Sequence, residues 1–348
     1  MSAVTTGADD KLIAEFQPGE NFEDRVFMVS QKDLRTTSNG SMYIHMVFAD
    51  QSGQVVARIW QANQQMYNII PEGGFISMRG RVESYKGNLQ VIGEAIRPLK
   101  KDDVDLSRFL PHTRFNIETM WNRLLEILRT VENPHVLKVI KAFVTDEQII
   151  AGFKKAPAAI TNHHAYIGGL LEHTVGLLEL ANRIFGDGKT ANSLFPDVSR
   201  DLVLAGLLMH DIGKITELDY DTSFSYSTSG QLIGHITQAA IWLDRKVAAI
   251  EADSNEAFPE DIRNVLTHII VSHHGTYEFG SPKLPSCPEA IAVHYIDNLD
   301  AKLNMALANI RDSRDDDSDW TQYVRPLEAR IFKKDVMGIR GDAGEEAD

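Results

Sequence analysis

Apolar and polar residues alternate through the first hundred positions. From position 116 onward the apolar residues recur instead at helical spacing. Residues 25–30 alternate, and 41–50 (SMYIHMVFAD) form a long β-type run. The turn Asp50-Gln51-Ser52-Gly53 then sends the chain back into a strand over 54–60. Segments 74–85 and 89–96 flank Lys86-Gly87-Asn88, a strong hairpin turn. The polar stretch 61–70 has room for a short helix. Further on, 117–131 is amphipathic, with Ile117, Met120, Trp121, Leu124, Leu125 and Leu128 on one stripe. Additional helices are predicted at 134–144, 163–185, 197–210, 231–250, 259–273 and 288–310.

Five strands with a helix after the third is the order of an OB-type barrel. The fold expected is therefore a multidomain α and β chain, an N-terminal OB-type β-barrel followed by an all-α domain. Its divisions are a flexible N-terminus over 1–19, the barrel over 20–100, a linker over 101–115, the helical domain over 116–310 and an acidic C-terminal tail over 311–348. Within the tail, 320–332 is expected to dock as a short arm, and the GDAGEEAD end to be disordered. In the second strand Met42, Ile44, Met46 and Phe48 share one face, and Tyr43, His45 and Val47 the other. In the third, Val55, Ala57 and Ile59 oppose Val56, Arg58 and Trp60. With the aliphatic face inward, Tyr43, His45, Arg58 and Trp60 lie together outside. Aromatics beside a cation suit base stacking; ordinary barrel surface, or packing against the second domain, is the competing reading.

Composition narrows the class. The net charge is −14, from 35 basic and 49 acidic residues, and residues 1–100 carry only −1 of it. So acidic a body disfavours loose, charge-driven binding of nucleic acid. It leaves room for a metal enzyme that grips phosphates locally, because bound cations reverse the local field. The N-terminus MSAVTTGADDK has neither the basic start nor the apolar core of a secretory signal. No apolar run is of bilayer-spanning length. The single cysteine, Cys287, fits a reducing cytoplasm.

The chemistry is concentrated in the helical half. His173 (GGLLEHT), His210 and Asp211 (LLMHDIGK), His235 (IGHITQ), His273 and His274 (VSHHG) and Asp297 (HYIDNLDA) each stand beside apolar helical sequence. A lone histidine there is usually a hydrogen-bonded core or surface residue. Asp297 on an apolar stripe is costly unless paired or metal-bound. The adjacent His-Asp doublet after an apolar run, repeated by imidazoles on successive helices, points to a buried divalent-metal site. Gly213 allows the chain to turn away closely, and helical spacing would put Tyr166 and Gly169 on the face of His173.

His173, the 210–211 doublet and Asp297 resemble the ligand pattern of HD-domain phosphohydrolases. The local motifs HHAYIGGLLEHT (163–174), HDIGK (210–214), SHHGTYEFGSPKLP (272–285) and EAIAVHYIDNLDAKL (289–303), behind an OB-like region, resemble the YhaM-type 3′-to-5′ exoribonucleases. The resemblance covers roughly 20–310. It implies that His173, His210, Asp211 and Asp297 hold one ion. His235 and one or both of His273 and His274 would complete a second position or bind phosphate. The mixed N/O donors suit Mn²⁺ first, with Fe²⁺ or Mg²⁺ as alternatives, and one or two ions. Asp211 could bridge two ions and orient the nucleophile.

The function expected is metal-dependent 3′-to-5′ exonuclease action on single-stranded RNA, with single-stranded DNA as a second substrate. Metal-activated water would attack phosphorus and release nucleoside 5′-monophosphates. A phosphohydrolase acting on small nucleotides, its barrel serving assembly or regulation, is the alternative; a regulatory protein with an idle site is a third. Lys214 could steady a phosphate oxygen, as could Lys283. His164 and Tyr166 could flank the scissile phosphate, and Glu278 could orient a ligand. Each has an ordinary helix-end, loop or core role as its competitor. The acidic surface also makes homo-oligomers an open expectation.

Overall fold

The structure, a computed structural model of the chain, describes residues 11–85, 88–104, 108–160, 164–188, 193–220, 224–311, 313 and 318–339. It divides into two compact units. The first comprises residues 1–114 with 166–169 and 218–227, and the second comprises 115–165, 170–217 and 228–348.

The first unit is built on β1 (Asn21–Thr36), β2 (Met42–Asp50), β3 (Gly53–Ile59), α1 (Gln64–Ile69), β4 (Gly74–Tyr85) and β5 (Asn88–Leu99). The strands close a barrel in the order β1-β2-β3-β5-β4, the predicted OB-type arrangement with its helix after the third strand. β3 and β5 pair in parallel, and the other neighbours are antiparallel. β1 is much longer than the alternating segment 25–30. Irregularities between Phe22 and Arg25 and between Val29 and Gln31 bend it, so that one strand serves both β4 and β2.

Ile44, Met46, Phe48, Val55, Ala57 and Ile59 fill the interior as alternation predicts, with Phe27 stacked on Phe48 at 4.4 Å. Met42, at the end of its strand, is instead exposed. Ile13 and Phe16 also enter this core, so residues 11–19 belong to the barrel rather than to a flexible lead. The expected linker likewise packs, through Phe109 against Phe75 at 5.1 Å. Residues 1–10, Lys86, Gly87, the acidic run 314–317 and the end of the tail lie outside the described residues.

The helical part runs α2 (Ile117–Leu128), α3 (Pro134–Val144), α4 (Glu147–Lys155), α5 (Gly169–Phe185), α6 (Arg200–Met209) and α7 (Lys214–Glu217). A short ribbon of β6 (Leu218–Asp219) and β7 (Ser225–Tyr226), grouped with the first unit, follows. Then come α8 (Thr228–Leu232), α9 (Gly234–Ser254), α10 (Glu260–Ser272), α11 (Pro288–Arg311) and the hairpin β8 (Trp320–Val324) and β9 (Ala329–Phe332). Asn116, Asn133, Asp146 and Ser199 cap α2, α3, α4 and α6 by accepting from backbone N–H groups, each worth about 1 kcal/mol. α4 is not among the helices predicted from the sequence; it is short and buries Ile149 and Phe153, one turn apart.

α6 is central. Every residue from Val203 to Met209 is buried, and the helix packs against α3, α10 and α11. α5 starts at Gly169, not at 163, because His164 (φ 50°) and Gly168 (φ 80°) are left-handed. Tyr166 is therefore not on the helical face of His173. The neighbouring Ile167 instead pairs its backbone with Pro111 and Thr113. Among the described residues, no helix is long and apolar enough to cross a membrane.

Candidate metal centre

The site starts where α6 stops. Because α6 is buried all round, it carries its C-cap His210, and then Asp211, into the middle of the helical unit; the two are 0% and 4% exposed. Four other helices deliver the rest. His173 comes from the second turn of α5, His235 from the start of α9, His273 and His274 from the end of α10, and Asp297 from the middle of α11. His210 and His273 both stand at helix C-termini, whose partial negative charge favours a cation.

The side chains form two groups that meet on Asp211. One is His173, His210 and Asp297. Asp297 Oδ1 lies 3.2 Å from His173 Nε2 and 3.8 Å from His210 Nε2. Asp211 Oδ2 lies 3.4 Å from His210 Nε2 and 3.8 Å from His173 Nε2. The other group is Asp211, His235, His273 and His274. Here Asp211 Oδ1 lies 3.4 Å from His235 Nε2 and 3.6 Å from His273 Nε2. The His274 ring stands 4.4 Å from His273 and 5.2 Å from His235. Each carboxylate oxygen of Asp211 thus serves a different group.

All five imidazoles present the same nitrogen inward, and the reason is local. Nδ1 of His210, His273 and His274 meets a backbone carbonyl: Leu207 at 2.9 Å, Ile270 at 2.7 Å and Phe279 at 2.6 Å. A carbonyl only accepts, so each Nδ1 carries the proton and each Nε2 keeps its lone pair. His173 Nδ1 meets Asp300 Oδ2 at 2.8 Å, and His235 Nδ1 meets Glu217 Oε1 at 2.8 Å, so each of these Nδ1 atoms also carries a proton and turns Nε2 inward. His210 Nε2, His235 Nε2, His273 Nε2 and Asp211 Oδ1 are then buried acceptors without a hydrogen-bond partner. Leaving each so costs about 1–3 kcal/mol. Acceptors facing one another cannot satisfy one another; a divalent cation satisfies them together, so the residues present fit a metal.

The field agrees. Burial alone would raise the carboxyls of Asp211 and Asp297. Lys214 and the surrounding imidazoles hold Asp211 well below the usual carboxylate range, and His173 and His210 do the same for Asp297. Burial pushes His210 and His274 down to about 4, which keeps both neutral. His173 departs from the others: against burial, Asp297 and Asp300 bring it up to about 9, so without an ion its Nε2 also carries a proton, facing Asp297, which a bound cation would displace. Lys214 Nζ lies 2.7 Å from Asp211 Oδ2, and that pairing raises its pKa against burial.

The seven residues proposed as ligands from sequence converge. The residues proposed around them divide. His164 is buried, with Nε2 3.2 Å from Asp300 Oδ2, so it supports the centre from behind. Lys283 and Glu278 are exposed between α10 and α11. The carboxylates that orient imidazoles are not Glu278 but Glu217 and Asp300, both missed in the sequence. Asp300 lies three residues after Asp297, a helical repeat that could have been followed; Glu217 offered no more than its place three residues after Lys214.

Two glycines are dictated by the packing. A Cβ on Gly213 would stand 2.2 Å from the His235 carbonyl oxygen. One on Gly275 (φ 78°) would strike the His294 ring, whose Nδ1 holds the His273 carbonyl at 2.7 Å.

On the barrel, Tyr43 and Trp60 do meet, their rings 5.0 Å apart, and His45 is in register with Arg58. Burial, then Arg35 and Arg58, lowers the His45 pKa. Arg58 donates to Gln90 Oε1 and lies 5.9 Å from the Tyr85 ring, which extends the aromatic surface.

A family model described as the HD domain matches residues 170–302. The chain is 33% identical over 315 residues to the 3′-5′ exoribonuclease YhaM of Bacillus subtilis (strain 168), covering 89% of this chain and 94% of that protein. Among solved structures it is similar to the second OB-fold domain of replication protein A from Methanococcus maripaludis. That match has 16% identity and a TM-score of 0.21, over 26% of this chain and 94% of that one. A replication protein A heterotrimer bound to ssDNA matches at 18% identity and a TM-score of 0.18, over 22% and 55%.

Proposed function

This chain belongs to the family of the 3′-5′ exoribonuclease YhaM, and from that premise we propose that it shortens single-stranded RNA from the 3′ end, releasing nucleoside 5′-monophosphates, with single-stranded DNA as a second substrate. The observation that carries this reading is the shared carboxylate, Asp211, with one oxygen in each of two buried donor groups. His173, His210, Asp211 and Asp297 would hold one divalent ion, and Asp211, His235, His273 and His274 a second. Several imidazoles among carboxylates suit Mn²⁺ ahead of Fe²⁺ or Mg²⁺. When bound, such ions supply Lewis acidity, bringing the pKa of water toward neutrality and offsetting phosphate charge.

The protein's own groups supply the rest. Asp211 stays ionised in its buried setting, and Lys214 stays charged beside it, at hand for a non-bridging phosphate oxygen. Glu217 and Asp300 hold two imidazoles in the donor-inward tautomer. Attack by water in line with the departing 3′ oxygen then frees the terminal nucleotide with its 5′ phosphate. Tyr43, His45, Arg58 and Trp60 offer a stacking surface for unpaired bases, which the single-strand preference requires. The lone Cys287 agrees with work in a reducing cytoplasm.

The test is incubation of the purified protein with Mn²⁺ and 5′-end-labelled single-stranded RNA. The expected result is a descending ladder with mononucleotides released from the 3′ end. Intact RNA alongside hydrolysed free nucleotides would replace this reading with that of a small-nucleotide phosphohydrolase.

A further inference from the structure

A hollow of about 440 Å³ opens between α4, α7 and α9, and none of the metal-donor residues lines it. Sites for small molecules typically enclose ~300–1,000 Å³. One wall is a single stripe of α9, where Trp242, Arg245, Lys246 and Ala249 recur at helical spacing. Ile149 and Gly152 of α4 and Ile215 and Thr216 of α7 complete the lining. Gly152 brings α4 close to α7, since a Cβ there would stand 3.0 Å from that of Ile215.

The lining joins a flat apolar surface to surplus positive charge. Lys246 is engaged by Asp146 at 2.6 Å, and Asp244, the acid next to Arg245, is taken by Arg263. Arg245 itself is exposed and has no ion-pair partner among the described residues. Two cations against one carboxylate leave the hollow at +1, on a body whose charge beyond residue 100 is −13 (25 basic against 38 acidic residues). Such a spot suits a compact anion, whereas a long polyanion would meet the acidic surroundings. Trp242 stands one helical turn from Arg245, about 5–6 Å between their Cβ atoms. A ring stacked on the indole can therefore carry an anionic group to the guanidinium. An indole face accepts any base, and a guanidinium takes phosphate in a bidentate grip. We propose that this hollow binds a nucleoside 5′-monophosphate, its base on Trp242 and its phosphate on Arg245.

The site adjoins the metal centre through α7. Lys214 Nζ lies 2.7 Å from Asp211, Glu217 accepts from His235, and Ile215 and Thr216 between them line the hollow. A nucleotide seated against Ile215 and Thr216 braces the one turn that orients two groups of the centre. Binding requires neither RNA nor turnover, so it stands or fails apart from the exonuclease activity.

Calorimetric titration of the metal-stripped full chain with AMP, adenosine and inorganic phosphate tests this. AMP should bind at least tenfold more tightly than either of the others. Arg245→Ala, a change at an exposed position, should weaken AMP at least tenfold and leave adenosine unaffected. Trp242→Ala should weaken AMP about 5- to 150-fold with an unchanged circular dichroism spectrum, and Trp242→Phe, which keeps a ring, should retain most of the affinity. AMP should also slow amide hydrogen exchange at 214–217 and 242–249, a measurement that stands even if Trp242→Ala fails to fold. Absence of AMP binding overturns the proposal. So does an AMP affinity unchanged in Arg245→Ala, inorganic phosphate binding as tightly as AMP, or protection that falls outside α7 and α9.

Discussion

Glu217 binds His235 at two places. Its Oε1 accepts Nδ1–H at 2.8 Å and the His235 backbone N–H at 2.9 Å, and Oε2 is also 2.9 Å from Nδ1. In Glu217→Ala the imidazole is free to carry its proton on Nε2. That atom faces Asp211 Oδ1 at 3.4 Å, so an Nε2–H would donate to the carboxylate and fill the place of a cation. A hydrogen bond to a charged acceptor is worth about 1.5–3 kcal/mol. Loss of an orienting carboxylate typically weakens metal binding ~10–100-fold, which is about 1.4–2.8 kcal/mol, the same range. Glu217→Gln keeps an acceptor oxygen for both N–H groups and should cost less than about tenfold.

The measurement is calorimetric titration of metal-stripped protein with Mn²⁺, with circular dichroism as the folding control. One of two binding steps should weaken, because the His173 group rests on Asp300 rather than on Glu217. Undiminished affinity in Glu217→Ala would refute the reasoning. Equal weakening of both steps would refute the separation of the two groups. A Glu217→Gln variant as weak as Glu217→Ala would show that net charge, not the tautomer, is what matters.

Three further outcomes follow from particular contacts. Gly213→Ala forces the start of α9 away from a Cβ that would stand 2.2 Å from a backbone oxygen. It should cost about 1–3 kcal/mol in urea unfolding and most of the nuclease activity. Asp146→Ala removes the α4 cap and the 2.6 Å ion pair with Lys246, and should lower stability by about 1–2 kcal/mol at neutral pH. Lys246 and the α4 N–H groups, against burial, depress the Asp146 pKa in the folded state. Its stabilisation is therefore complete above the unfolded value of about 3.9 and fades as acid carries it through the lower folded value. Thermal melts should show a gap between wild type and Asp146→Ala that is constant from pH 6 to 8 and closes below about pH 4; a gap that widens in acid contradicts the assignment. Trp60→Ala and Tyr43→Ala should each weaken binding of a labelled single-stranded oligonucleotide about 5- to 150-fold, as read by anisotropy, if each ring stacks one base at ~1–3 kcal/mol.

How far the chain could be read follows the range of the forces involved. Alternation in β2 and β3 sorted Ile44, Met46 and Phe48 inward and Tyr43 outward, since a strand's two faces are set by neighbouring residues. Met42 departed because a strand end leaves the barrel interior. Helical periodicity located α3 and α11 almost to the residue, but it ran α5 back through His164 and Gly168, whose left-handed backbone is a response to their surroundings. It also could not tell that the apolar residues of α11 lie on two faces. Ile296 is buried while Leu299 is exposed, and only the packed neighbours separate them.

What the chain order alone determined was the set of chemical groups and their local carriers. An apolar helix ending in His-Asp, imidazoles beside other apolar helices and an aspartate within one are visible without any fold, because the cost of burying such groups unpaired is a property of the groups themselves. The tertiary structure decided which atoms meet. His173 reaches Asp300 across 127 positions and His235 reaches Glu217 across 18. The division of Asp211 between two donor groups depends on where α5, α9, α10 and α11 dock against α6. Such angles and distances are summed from packing over the whole unit, so no local stretch of residues contains them.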